Sequence, residues 1–152
     1  MDVFFTQEER SRNCILIIDE VYVKSTVSYS GGVLFGYAED NPGELAKTLL
    51  CVMVKCLFSS KKFLIKLVPC HALKAEFQYK CVTGVLEMLE SCGATVIALI
   101  NDNNRVNQAF FKMFPGWSVE SPYLAKSPSS QSLLYLLYDP VHLIKKTSGT
   151  IG

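Results

Sequence analysis

The stretch Cys14-Ile15-Leu16-Ile17-Ile18-Asp19-Glu20 sets the strongest limit on what this chain can fold into. Its apolar residues run together without alternation and stop at two carboxylates. Such a run reads as a strand buried on both faces. The charge at its end must then lie where the sheet meets water or a ligand. The pattern returns in Val96-Ile97-Ala98-Leu99-Ile100, which leads into Asn101-Asp102. It returns again in Leu133 to Tyr138, which leads into Asp139. If the three strands are parallel, Asp19, Asp102 and Asp139 share one edge. The carboxyl ends of strands are where open α/β sheets bind ligands.

Composition narrows the class. The chain has 152 residues, 49% hydrophobic and 19% charged. That is enough for one domain with a core and too apolar for a disordered chain. A net charge of +1 gives no global pull toward nucleic acid or a membrane surface. No apolar run reaches the roughly 18 to 20 residues that a membrane span needs. The first residues, Met1 to Arg10, are acidic where a secretion signal is basic. A reducing compartment is therefore expected. Six cysteines lie in or beside apolar runs, with no CxxC pair and no zinc-finger spacing to His71 or His142. They read as buried free thiols, with Cys81 and Cys92 on a helix face.

In chain order, residues 1–13 form a polar lead-in, 14–146 the domain and 147–152 a tail. The first strand covers Asn13 to Asp19. The β-prone runs Val21 to Tyr29 and Val33 to Tyr37 flank Gly31-Gly32 as a hairpin. Thr48 to Leu57 is expected as a central strand, although a helix from Leu45 to Phe58 fits a wholly apolar segment as well. Phe63 to Val68, holding Lys66, suits an edge strand that Pro69 ends. Leu73, Phe77, Cys81, Val85, then Met88 or Leu89, and Cys92 mark one face of a helix closed by Gly93; Gln78, Lys80 and Glu90 fall on its polar side. A strand from Thr95 to Ile100 follows. Asn103-Asn104 then cap a helix whose inner face is Val106, Ala109, Phe110, Met113 and Phe114. Residues 116–132 read as a long surface loop. The third buried strand ends at Asp139-Pro140, where Asp139 suits a helix cap. The expected fold is α/β: an RNase H-like mixed sheet with helices packed on its faces.

Three segments also resemble P-element-type transposases, including the derived proteins that carry a THAP zinc finger. They are Ile17 to Val21, Ile100 to Gln108, and Tyr138 to Lys145. The resemblance runs from about Cys14 to Lys145, in the family's order. It implies a nuclear protein with an RNase H-like catalytic domain that cuts and joins DNA at transposon ends with Mg2+ or Mn2+. Carried over by position, Asp19 is the first catalytic and metal-binding carboxylate and Asp102 the second. The family's third is a Glu on a late helix, beyond an inserted GTP-binding domain. Neither is expected here, so the domain reads as truncated and inactive alone.

The chemistry suits the residues. Phosphodiester cleavage is served by two Mg2+ ions about 3.5 to 4 Å apart, and such ions are held by carboxylates. Either aspartate alone reads as a solvated strand end; the pair favours a metal site. Glu20, next along the strand, points to the opposite face and reads as structural or as support for the site. Asp139, His142, Asn104 and Arg105 are auxiliary candidates. Asn103, Asn104, Arg105 and Asn107 crowd a helix start that can hold phosphate or merely cap the helix. Lys61, Lys62, Lys66, Lys145 and Lys146 read as surface charge, and Trp117 and Tyr123 as loop packing. The competing reading is a domesticated module that binds protein or DNA without catalysis.

Overall fold

A computed structural model describes residues 12–140. The body of the fold is a six-stranded mixed sheet of β1 (Asn13–Tyr22), β4 (Thr48–Cys56), β5 (Lys62–Cys70), β6 (Thr95–Asn101), β7 (Leu124–Lys126) and β8 (Leu133–Tyr138). Their order across the sheet is β5-β4-β1-β6-β8-β7. β1, β6 and β8 are neighbours and parallel, while β4, β5 and β7 run antiparallel to their partners. Two strands, β2 (Ser28–Ser30) and β3 (Val33–Phe35), form a separate hairpin across Gly31-Gly32. Both glycines have positive φ, as a two-residue hairpin turn demands. The helices are α1 (Ala75–Ser91) and α2 (Arg105–Lys112). No helix among the described residues is long and apolar enough to cross a membrane.

The core lies between one sheet face and both helices. Cys14, Leu16 and Ile18 of β1 join Leu50, Val52 and Val54 of β4, and Leu134 and Leu136 of β8. Against them pack Val82, Leu86 and Leu89 of α1, then Phe110 and Phe111 of α2 and Phe114 just beyond it. Phe110 and Phe114 meet edge to face at 5.2 Å, and Tyr79 of α1 meets Phe114 at 5.0 Å. The lead-in before Arg12, the tail and the helix expected after Pro140 lie outside the described residues.

Several expectations change. The apolar runs of β1 and β8 are buried on one face only, whereas in β6 the neighbours Ala98 and Leu99 are both buried. In β1, Cys14, Leu16 and Ile18 are buried while Ile15 and Ile17 are half-buried. In β8, Leu136 is fully buried and its neighbour Leu137 is 40% exposed. Hydrophobicity on both sides hid the two-residue period, so the strands looked two-sided. Residues 48–56 form a strand, not a helix. Pro69 does not end β5; it lies within this edge strand. Its carbonyl turns outward to accept from Glu39 N–H at 2.8 Å, so the missing proline donor costs no ladder bond. Gln78 is not on the solvent side but 1% exposed. Cys92 is the exposed C-cap of α1, not part of its buried face. The inner face of α2 is Asn107, Phe110 and Phe111, while Ala109 and Met113 are exposed. The segment 116–132 is not all loop, because β7 pairs within it against β8.

Candidate active site

The site is built by register. Across the parallel pair β1 and β6, Ile17 lies level with Ile100. Two residues further along each chain stand Asp19 and Asp102. Across β6 and β8, Asn101 lies level with Tyr138, which brings Asp139 beside Asp102. The Asp139 N–H donates to the Asn101 carbonyl at 2.8 Å and extends that pairing to the strand ends. All three aspartates therefore stand along one edge, in the order Asp19, Asp102, Asp139.

A bulge sets this alignment. Cys14 pairs with Val96, but Ile15 pairs with Ala98, so Ile97 is an extra residue on β6. Were Ile97 instead paired with Ile15 in a regular ladder, Asp19 would fall level with Asn101. Bulges characteristically re-aim side chains beside active sites.

Parity decides which face each group favours. Asp19 follows Ile15 and Ile17, toward the face without described helices. It stands opposite Cys51 on β4, where burial raises the thiol pKa and the Asp19 charge adds to the rise. Glu20 follows Leu16 and Ile18, toward the helices, as the alternation predicts. It accepts the Thr48 hydroxyl on Oε2 at 2.6 Å. β1 does not end at Asp19 but runs on to Tyr22, and beyond its last pair with β6 both acids reach the same cavity, of about 140 Å³. Asp19, Glu20, Tyr22 and Asp102 line it, together with Gln78, Asn104 and Asn107. Asp19 also accepts the Glu20 N–H at 2.9 Å, which steadies its Oδ1.

The turn after Asp102 is held by amides. Asn104 caps α2, accepting the Asn107 N–H on Oδ1 at 2.9 Å. Asn107 donates from Nδ2 to the Asp102 carbonyl at 2.9 Å and accepts from Gln78 Nε2 at 2.7 Å. Asn103 accepts from Gln108 Nε2 at 2.6 Å. These are the contacts of a helix cap.

The structure thus gathers Asp19, Asp102 and Asn104 at one cavity. Arg105 is exposed in the first turn of α2 and does not line it. Asp139 shares the edge, one strand over, without lining the cavity, and His142 lies outside the described residues. No cluster of three or more His, Cys, Asp or Glu side chains among the described residues could hold a metal ion. Lys61, Lys62 and Lys66 belong to the region of β5, two strands from β1. Trp117 packs against the core under Lys112, whose Nζ is 5.6 Å from the ring centroid. Tyr123 is exposed. Sequence reasoning missed Gln78 and Tyr22. A glutamine in register with the apolar positions of α1 was the available signal for the first.

A mixed sheet with three adjacent parallel strands, each delivering an aspartate to one edge, defines an RNase H-like domain. Residues 4–115 match the family described as TNP-like, RNase H N-terminal domain, and the chain belongs to that family. Its fold is similar to that of a chain in the Drosophila P element transposase strand transfer complex, with a TM-score of 0.72 at 20% identity. The similarity covers 91% of this chain and 29% of the other, so this chain spans less than a third of that transposase. No curated protein matches it. The chain is a partial transposase-like RNase H domain, as the three motifs implied.

Proposed function

We propose that the carboxyl edge of β1 and β6 is the Mg2+ or Mn2+ half-site of a P-element-like DNA transposase, inactive by itself. One observation carries the reading: Asp19 and Asp102 each lie two residues beyond the last paired residues of adjacent parallel strands, Ile17 and Ile100, and both line one cavity. Neighbouring strands lie about 4.8 Å apart. Magnesium binds oxygen at about 2.0 to 2.1 Å and takes carboxylates as hard ligands, so two carboxylates lining one cavity suit a shared ion. When bound, the metal would supply an activated oxygen nucleophile and neutralise the leaving oxygen. Asp19 and Asp102 would hold it, and Asn104 would keep the second carboxylate's turn in shape. A third acid, from a late helix, would complete the site. The partner would be DNA at transposon ends and the compartment the nucleus, in a protein of the THAP-bearing kind.

Mn2+ titration followed by NMR tests this. Line broadening centred on Asp19 and Asp102, abolished in Asp19→Asn, is the expected result. Broadening that ignores both residues overturns the reading. In a nuclease assay the isolated chain should leave DNA uncut.

A second reading, a non-catalytic interaction module, is favoured by the other sheet face. There Leu67, Tyr135 and Leu137 are 48, 48 and 40% exposed. Under that reading Asp19→Asn leaves partner binding unchanged.

A further inference from the structure

We infer that Gln78 and Asn107 are positioning residues that hold Asp102 level with Asp19. The inference rests on the metal-site reading above and extends it to two residues that carry no charge. Gln78 sits on the buried face of α1, between Ala75 and Cys81, where an apolar side chain would pack without polar cost. It is 1% exposed, and Asn107 is 8% exposed. Each is kept in the core by hydrogen bonds that lead to the site.

The chain of bonds has a direction. Gln78 Nε2 can only donate, so Asn107 must present Oδ1 to it. That fixes the amide's orientation and turns Nδ2 toward the Asp102 carbonyl. The same carbonyl accepts the Asn104 N–H at 3.1 Å. Two donors thus converge on the peptide that follows the Asp102 side chain. The relay links the first turn of the sheet-packed helix α1 to the turn after Asp102, so the carboxylate's backbone is referenced to the core. Groups that orient a metal ligand typically contribute 10- to 100-fold in metal affinity.

The test uses the whole chain and Mn2+ alone. Gln78→Met keeps volume and helix propensity but cannot donate. It should weaken Mn2+ binding about tenfold or more, and Asn107→Leu should do the same. The double variant should be no weaker than the worse single one, because both break one chain. Urea midpoints separate this from unfolding, and Asn107→Leu serves if Gln78→Met does not fold. Hydrogen exchange at the Asn104 amide, read without metal, should quicken about tenfold in Gln78→Met. Wild-type binding with Gln78→Met within twofold of it overturns the relay and leaves the metal site standing. If the wild-type chain binds no Mn2+, the metal site falls. The relay is then decided by exchange, and an unchanged Asn104 amide overturns it.

Discussion

Ser127, completely buried, donates its hydroxyl to Glu90 Oε1 at 2.6 Å across the gap between the segment after β7 and the last turn of α1. Ser129 occupies the other carboxylate oxygen at 2.7 Å. One glutamate therefore pins the segment that leads into β8. Ser127→Ala should destabilise the fold by about 1 to 2 kcal/mol, toward the lower range for hydrogen bonds to charged groups, because Ser129 remains. Urea denaturation should show a lower midpoint with an unchanged slope.

Asn101 presents the opposite case. It is 2% exposed, and among the described residues its Oδ1 and Nδ2 have no hydrogen-bond partner. Burying an unpaired amide costs free energy that an apolar side chain of similar size does not. Asn101→Leu should therefore raise stability by about 1 kcal/mol. A fall in the urea midpoint would contradict this.

Adjacent residues of β8 should respond very differently. Leu136 is fully buried against the helices and Leu137 is 40% exposed on the other face. Leu136→Ala should cost about 2 to 5 kcal/mol through lost burial and the cavity left behind. Leu137→Ala should cost well under half as much. Thermal melts of the two variants side by side settle the order.

Thiol chemistry gives a pH signature. Burial pushes the Cys14 thiol from 9.0 up to about 12, and Cys56 adds to the rise. Burial, then Asp40, does the same at Cys70. Between about 9 and 12 the unfolded chain has lost these protons while the folded chain keeps them. Their stabilising contribution is full below about 9 and lost as pH climbs through about 12. Stability should decline from pH 9 to 11, and less steeply in a Cys14→Ala, Cys70→Ala double variant. An identical decline in both proteins would refute this. Below pH 9 the exposed Cys92 should react first with a thiol reagent.

Much of this was readable in the sequence because charge interrupts hydrophobicity so sharply. Asp19, Asp102 and Asp139 end runs that could only be strands, and parallel pairing followed from the intervening helices. The turn at Gly31-Gly32 and the edge strand carrying Lys66 were equally legible, since turn chemistry and charge are local, although Val21 and Tyr22, expected in the hairpin, belong to β1. What escaped depended on distant partners. Gln78 looked solvated because its partner, Asn107, arrives on another helix. β7 is three residues long and has no pattern of its own; β8 creates it. The one-sidedness of β1 and β8 was invisible because leucine and isoleucine occupy both faces.

The extra residue at Ile97 makes the register of β6 chemically consequential. Deleting Ile97 would straighten the ladder and keep Asp102 opposite Asp19, because every pair from Ile15 and Ala98 onward is unchanged. Flattening the bulge with Ile97 kept in the ladder would instead set a carboxamide opposite Asp19, disarming the edge without touching a single acidic codon. Two chains that differ only in how that residue is accommodated would share a shape and part company in chemistry.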